Sequence, residues 1–475
     1  MELQNKRVLV VGLGKSGVAS ALFLKAHGAR VTVSDTKSGE ELHNEIPVLL
    51  DHGITVETGG HGERTFRGQD LIVVSPGVPV DSPQLVQARA LGGAVIGEIE
   101  LAAQFLPGPI VAITGSNGKT TTTTLTGEIL AAGGLPTLVG GNIGTPAISL
   151  AERAKPESVI VLEVSSFQLE TIQTFRPKVA VVLNVTPDHL DRHRTFEAYT
   201  DAKARIFENQ QNDDFAVLNE DDPTCLAMAS RTRAQVYWFS RHKEVKRGAW
   251  VGDGRILFRE DAQQPGLSRE RSQREIMLVS EIPLKGAHNL ENVLAAVCAG
   301  ALMGCTAEKI RQAVRDFKAV EHRLEYVATI RGVDYYNDSK ATNVDATIKA
   351  LESFPANIHL ILGGKDKGSD YTLLNDLLRQ RVKRVYTIGA AAAKIESQIV
   401  SSSGSHSKSG GPEVVHAETL ENAIRKANAT AEPGDVVLLA PACASFDQFK
   451  NYEERGRVFK EIVRGLAAEA DRNSS

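Results

Sequence analysis

The sequence predicts an α/β protein of three domains in series, and three features of the chain carry that expectation. Short apolar runs closed by turn residues alternate with segments of helical apolar spacing along its length. Two of these runs feed glycine loops that open helices, one starting at Gly12 and one at Gly115. The alternation pauses and starts again near Gly97 and near Val320, which divides the chain into residues 1–97, 98–319 and 320–475.

Taken in order, Lys6 to Val11 is a short apolar run closed by glycine and reads as a buried strand, Val18 to Ala26 has helical spacing, and Arg30 to Asp35 completes a βαβ unit. Asp70 to Val74 is another strand, stopped by Ser75-Pro76-Gly77. A helix from Glu98 to Phe105 leads through Pro107-Gly108-Pro109 into a strand at Ile110 to Ile113, a loop, and a helix from Lys119. Strands at Val159 to Leu162 and Val179 to Val185 continue a parallel-sheet pattern. Val236 to Ser240 and Ile256 to Arg259 read as short antiparallel strands, with a charged loop from Glu260 to Arg274. Helical spacing fills Asn289 to Met303 and Ala307 to Phe317. The last domain has strands at Tyr326 to Asp334, Ile358 to Leu362, Arg384 to Ile388 and Val436 to Leu439. Ser401 to Gly411, rich in Ser and Gly, should be a mobile loop.

Composition narrows the function classes. A 475-residue chain that is 42% hydrophobic can build several cores, and a net charge of −4 supplies no basic field for nucleic acid or an anionic membrane. Cys225, Cys298, Cys305 and Cys443 form no C-x-x-C pair, which argues against zinc or a disulfide framework. The opening MELQNKRVLVVG lacks the pattern of a signal peptide, and no apolar run approaches membrane-spanning length. A cytoplasmic monomer acting on small molecules is expected.

Gly12-Leu-Gly14-Lys-Ser-Gly17 follows a strand and opens a helix, and Asp35 ends the next strand, as in dinucleotide-binding folds. Amides at a helix N-terminus hold phosphate, and a carboxylate can take a ribose or a base. The pyrophosphate of UDP fits as well as that of NAD, and glycines needed only for close helix packing would look the same. The loop Gly115-Ser116-Asn117-Gly118-Lys119-Thr120-Thr121 is more specific, since strand, loop, Lys-Thr and helix come in the order of an ATP phosphate loop. Ile113 replaces the first glycine of the general pattern, which disfavours an ordinary motor or kinase. Loop amides would cradle the phosphates, Lys119 would neutralise their charge, and Thr120 would bind Mg²⁺. Glu163, at the end of an apolar strand, reaches the same sheet edge and can hold Mg²⁺. The strand ending in NVTPDHLD should deliver His189 there too, while His189 and His193 lack the glutamate of a zinc helix. A lone surface histidine remains the plain alternative.

TGSNGKTTT, EVSSFQLE, NVTPDHLDRH, the segment Tyr199 to Asn209, GAHNLENVLAA, HRLE, NDSKATN and PACASFDQF appear in the order in which they occur in the Mur ligase family, and the chain resembles that family over nearly its whole length. GLGKSG and SPGVP point to its D-glutamate-adding branch. The resemblance implies three domains: a Rossmann-like N-terminal domain for a UDP-sugar, a central P-loop ATPase-like sheet, and a Rossmann-like C-terminal domain that takes the amino acid and closes on ATP. It implies that ATP activates UDP-N-acetylmuramoyl-L-alanine as an acyl phosphate, which the amine of D-glutamate then attacks. Two Mg²⁺ ions are implied, one at Thr120 and one at Glu163 and His189, with Lys203 as a carbamate. An ammonium has no acceptor for Mg²⁺, whereas a carbamate supplies anionic oxygens; on residue type alone a helical lysine is usually just solvated.

Further roles follow from the same resemblance. Asn292 and Arg323 match adenine and phosphate contacts, and Asp338 and Lys340 match residues that close on ATP. Ser16, Asp35, Thr36 and Lys37 match the uridine and phosphate contacts of the UDP site, with Ser75 and Gly77 nearby, and Lys37 lacks the bidentate grip of an arginine. Asn142 matches a contact to the muramoyl moiety, Ser165 a further substrate-binding position, and Thr342, Lys367, Ser445 and Tyr452 the D-glutamate site. Family members often have Phe where Tyr452 stands, and Lys365 competes with Lys367 for the γ-carboxylate. A folylpolyglutamate-synthase-like ligase would lack the domain at residues 1–97. An NAD oxidoreductase leaves the ATP loop unexplained, and an NTPase switch or motor conflicts with Ile113.

Overall fold

The computed structural model describes residues 1–62, 64–142, 144–260, 273–284, 286–318, 320–399 and 411–474. The expected loops from Glu260 to Arg274 and from Ser401 to Gly411 therefore lie almost wholly outside the described residues. The chain forms two compact units. The first comprises Met1–Val185, Thr195–Glu281 and Glu291–Phe317; the second comprises Thr186–Arg194, Ile282–Leu290 and Lys318–Ser475.

The first unit contains two sheets. One is parallel and five-stranded, in the order Thr55–Glu57, Arg30–Ser34, Arg7–Val11, Leu71–Val74, Ala94–Gly97. Arg7–Val11 takes the middle because it is apolar on both faces: Val8 and Val10 enter one core while Leu9 and Val11 enter another. The strand order turns back at Arg7–Val11 and Leu71–Val74, so a crevice opens at their carboxyl ends, where the first glycine loop and Ser75 lie. The helix Lys15–Ala26 can pack there because residue 17 is glycine; a Cβ on Gly17 would stand 1.8 Å from the Gly12 carbonyl oxygen.

The other sheet has nine strands. Its parallel part centres on Ile110–Thr114, buried throughout and flanked by Val159–Glu163 and Val179–Val182. Gln235–Ser240 pairs parallel with both Phe215–Asn219 and Gly248–Gly252, which corrects the antiparallel reading of that strand. Arg255–Arg259 is antiparallel as expected, and Gln273–Leu278 pairs with it, so the tail of the supposed charged loop is a strand. The helix Glu98–Ala103 ties the two sheets together. Buried Glu100 accepts hydrogen bonds from the Gln173, Thr174 and Phe175 amides at 2.8–2.9 Å and from Thr174 Oγ1 at 2.5 Å. One apolar core runs from Leu3 to Ala234 across both sheets.

The second unit holds a six-stranded sheet in the order Glu325–Ile330, Val333–Asn337, Val436–Leu439, Ile358–Gly363, Val382–Ile388, Glu413–Glu418. The single strand expected from Tyr326 to Asp334 is an antiparallel hairpin instead, turning at Arg331 and Gly332, both with positive φ. The other strands are parallel, with apolar cores on both faces. The carboxyl ends of Val333–Asn337, Val436–Leu439 and Ile358–Gly363 are neighbours, so the segments beginning at Asp338, Ala440 and Gly364 leave from one edge. At the opposite edge His359 Nε2 lies 3.1 Å from Asp435 Oδ2, and Lys383 Nζ donates to Asp435 Oδ1 at 2.6 Å. All four cysteines are buried free thiols. Among the described residues no helix is long and apolar enough to cross a membrane.

Candidate active site

The crevice of the five-stranded sheet is a pocket of about 360 Å³. All six residues expected at a UDP site line it: Ser16, Asp35, Thr36, Lys37, Ser75 and Gly77. Asp35 organises the pocket's floor, because Oδ2 accepts the Leu13 amide at 2.6 Å and Oδ1 the Lys37 amide at 2.9 Å. Ser75 Oγ donates to the Gly12 carbonyl at 2.8 Å, fastening the loop to the neighbouring strand. A Cβ at Gly14 would meet nothing within 4 Å, whereas the space beside Gly12 is taken by Val78 and Ser75. His61 also lines the pocket, with Nδ1 2.8 Å from Ser34 Oγ; no sequence motif marked it.

The second glycine loop leaves Ile110–Thr114 and enters the helix Lys119–Ala132 through Gly118, whose φ of +88° requires glycine. A Cβ there would also stand 2.1 Å from Asn292 Oδ1, so Asn292 lies against the loop. Asn184 braces the loop from the adjacent strand end. Its carbonyl accepts the Ser116 amide at 2.9 Å, its Oδ1 accepts the Asn117 amide at 2.9 Å, and its Nδ2 donates to the Asn117 carbonyl at 3.1 Å. Lys119 Nζ folds back to donate to the Gly115 and Ser116 carbonyls at 2.8 Å.

Thr120, Glu163 and Asn142 form one chain of contacts: Thr120 Oγ1 donates to Glu163 Oε2 and Asn142 Nδ2 donates to Glu163 Oε1, both at 2.8 Å. Hydroxyl and carboxylate oxygens are the hard donors Mg²⁺ prefers, and this ion usually needs only one or two carboxylates beside phosphate and water. Thr120 and Glu163 therefore fit such an ion. Lys203 is buried; its Nζ donates to the Gly115 carbonyl at 2.9 Å and sits 4.5 Å from the centre of the Tyr199 ring. As an ammonium it has no lone pair for a metal, and only a carbamate would fit. The Thr121 hydroxyl is buried without a hydrogen-bond partner. Ser165 is engaged in a capping box with Gln168 at the start of Ser166–Leu169.

His189 is not at a strand end. The strand closes at Val182, and His189 caps the short helix Leu190–His193 in left-handed backbone, φ +53°, because Pro187 has already turned the chain. Its segment belongs to the second unit, where Asn343 Nδ2 donates to Asp188 Oδ2 and Thr186 Oγ1 to Asp345 Oδ2, both at 3.1 Å. There it lines a cleft of about 440 Å³ with Asn343, Asp345 and Lys367, while Lys365 is absent from the lining. Thr342, Ser445 and Tyr452 are not lining residues of this cleft either. Tyr452 packs beside Lys340, whose Nζ is 5.3 Å from the ring centre, and Ser445 is buried.

Asp338 is buried and its carboxyl is pushed up to about 6 by desolvation, against the pull of Arg323 and Lys340. Asp338 Oδ1 and Arg323 Nε are both buried without a hydrogen-bond partner. Orphaned groups of opposite charge are what a polar ligand satisfies. Arg323 lies between two non-glycine residues of positive φ, His322 at +66° and Leu324 at +41°, a strained turn of the kind found at functional sites. Sequence reasoning passed over Arg455, a fully buried arginine whose guanidinium donates to the carbonyls of Ser339 and Cys443 and ties two of the edge segments together. Desolvation lowers it to about 10.

Comparison with known proteins places this geometry. Residues 6–97 match the family model described as Mur ligase MurD-like, N-terminal domain; residues 113–300 match the Mur ligase middle domain; and residues 322–443 match the Mur ligase, glutamate ligase domain. The chain is 66% identical over 467 residues to the UDP-N-acetylmuramoylalanine–D-glutamate ligase of Koribacter versatilis, covering 98% of this chain and 99% of that protein. It is 58% identical over 471 residues to the protein of the same name from Acidobacterium capsulatum, with 98% and 99% covered. Among solved structures, a pseudomurein peptide ligase type C from Methanothermus fervidus shares the fold at 19% identity, with a TM-score of 0.60 and coverage of 97% of this chain and 100% of that one. With two thirds of its residues shared with a relative across nearly the whole of both chains, this chain belongs to the Mur ligase family.

Proposed function

We propose that this enzyme joins D-glutamate to UDP-N-acetylmuramoyl-L-alanine at the expense of ATP, a step of peptidoglycan precursor synthesis, through an acyl phosphate. The observation that carries the reading is the single carboxylate of Glu163 shared by Thr120 of the nucleotide loop and Asn142 of the GGNIG segment. The group set aside for the nucleotide's metal and the group set aside for the muramoyl substrate thus meet at one side chain.

The chemistry needs such a meeting, because two anions must be brought into line. The alanyl carboxylate attacks the γ-phosphorus and ADP leaves; the amine of D-glutamate then attacks the acyl carbon, loses a proton, and phosphate departs. Lys119 and the amides of Gly115 to Thr121 take up the negative charge that develops on the phosphates. Thr120 and Glu163 would hold Mg²⁺, which supplies charge screening between carboxylate and phosphate. For His189 the metal role rests on its sequence motif. The two-ion arrangement and the Lys203 carbamate belong to the same proposal.

Asn292, Arg323, Asp338 and Lys340 are proposed to bind ATP, and the pocket around Asp35 the uridine diphosphate. Thr342, Lys367, Ser445 and Tyr452 are proposed to receive D-glutamate. The domains are proposed to divide at residues 97 and 319, and the enzyme to act as a cytoplasmic monomer.

Phosphate release from ATP, measured with UDP-N-acetylmuramoyl-L-alanine and each of D-glutamate, D-alanine and L-lysine in turn, tests the proposal. Release with a glutamyl adduct by mass only when D-glutamate is present is the expected result. An adduct with another amino acid would overturn the substrate assignment, and no turnover with any would overturn the reaction.

A further inference from the structure

Lys367, the proposed partner of the substrate γ-carboxylate, is an exposed lysine on the loop that follows Ile358–Gly363, and that loop has a scaffold of its own. Its stem is pinned by backbone bonds between Lys365 and Ala444, at 2.8 and 3.1 Å. Its far end is held by Asp366. Asp366 Oδ1 accepts the Ser369 amide at 3.0 Å and the Tyr371 hydroxyl at 2.9 Å, while Oδ2 accepts Lys394 Nζ at 2.7 Å. Lys394 Nζ also donates to the Ser369 carbonyl at 2.8 Å, so one ammonium closes both ends of the turn. Tyr371 is fully buried, which anchors the arrangement in the core. Between these clamps stand Lys367 and Gly368, facing the cleft that His189 and Asn343 also line.

The charge arrangement matters as much as the shape. Asp366 lies between two lysines in sequence, and a carboxylate with a spare oxygen would draw the Lys367 ammonium to itself. Lys394 occupies that oxygen. A half-exposed ion pair of Lys367 with its neighbour would have to be broken before a substrate carboxylate could bind, and loss of the fixed turn adds the entropy of re-ordering the loop.

We propose that Asp366 and Lys394 are positioning residues for the amino-acid substrate: together they fix the turn and leave the Lys367 ammonium available to the substrate's side-chain carboxylate. The proposal rests on the assignment of Lys367 to D-glutamate, and the test separates the two. Steady-state kinetics of the full chain are measured with each of the three substrates varied in turn, for Asp366→Asn, Lys394→Met, Lys394→Arg, Lys367→Ala and the double variant Asp366→Asn/Lys367→Ala.

The expected outcome is a rise of about tenfold in KM for D-glutamate for Asp366→Asn and Lys394→Met, with KM for ATP within about twofold and kcat within about threefold. Lys394→Arg should restore KM to within about threefold, since it keeps the charge and the donors. The double variant should match Lys367→Ala alone, because Asp366 acts through Lys367. Equal rises in KM for ATP and D-glutamate would mean general damage to the fold and would overturn the proposal, as would additive effects in the double variant. A raised KM in Lys367→Ala beside an unchanged KM in Asp366→Asn would sink the positioning role alone. An unchanged KM in Lys367→Ala would sink both the substrate assignment and the proposal built on it.

Discussion

Replacing Gly14 by alanine separates the two uses to which the first glycine loop can be put. Gly14 caps Lys15–Ala26 with φ −71° and ψ 178°, a conformation any residue adopts, and a Cβ there meets no atom of the protein within 4 Å. Folding should be nearly indifferent: restricting the unfolded chain gains about 0.4–1 kcal/mol, and a poorer N-cap loses a similar amount. Gly14 does, however, line the 360 Å³ pocket together with Asp35 and Ser75, so the added methyl stands in open space beside it. If a pyrophosphate lies against this backbone, the crowding costs about 1–3 kcal/mol, a loss of about five- to 150-fold in affinity. Calorimetric titration with UDP-N-acetylmuramoyl-L-alanine measures it, with ADP binding and the melting temperature as controls that should not move. Affinity within twofold of the parent would refute the phosphate role and leave the glycines as packing residues only, the role Gly17 fills in any case.

The converse variant, Lys119→Ala, should lower phosphoryl transfer by about 100-fold or more while leaving calorimetric UDP-sugar binding intact; equal loss of both would oppose separate sites for the two ligands. Lys203→Ala should lose activity and regain part of it with added short carboxylates that replace the carbamate, and no regain at any concentration would count against that modification. Asp338→Asn should be more stable than the parent at neutral pH but deficient in ATP use. The Asp338 carboxyl is raised from an ordinary 3.8 to about 6, so the folded form holds its proton more tightly, and stability present below pH 4 is lost as pH rises through 6. The deficit above that is about 3 kcal/mol, and denaturant melts at pH 4 and 7.5 should show the variant's advantage only at the higher pH. Asp435→Ala strips the partner from buried His359 and from Lys383 at the opposite edge of the same sheet; it should cost about 1–3 kcal/mol in denaturant melts without altering any KM, and a changed KM would show that this edge is coupled to the site.

The parts of the fold written in short-range pattern were legible in the sequence. Lys119–Ala132 starts where glycine, lysine and threonine said it would, and Glu163 ends its strand as an apolar run broken by one acid implies. Pairing direction was not legible, because Gln235–Ser240 has the same residues whether its neighbours run with it or against it. The hairpin at Arg331-Gly332 was hidden because strand-forming residues run on either side of a turn only two residues long. That His189 lies beyond the end of its strand was hidden for a related reason: a motif fixes order along the chain, but Thr186–Arg194 folds with residues far away in sequence. Side chains whose task is to brace others gave no local signal. Asn184, which holds the loop amides, and Arg455, whose burial is set by three separate segments, are visible only once the strand ends meet.

That nine-residue excursion has a consequence for anyone cutting the enzyme into pieces. A fragment beginning at residue 320 would contain the whole six-stranded sheet, yet it would leave behind Thr186–Arg194 and Ile282–Leu290. Val344 and Ile348, which share the cleft lining with Leu190, would lose that neighbour, and Asn343 and Asp345 would lose Asp188 and Thr186. Such a fragment would present an apolar scar where the intact chain presents a binding cleft. The C-terminal unit is therefore not a transplantable cassette: grafting it onto another enzyme means carrying over Thr186–Arg194 and Ile282–Leu290 as well, two separate stretches encoded ahead of the sheet.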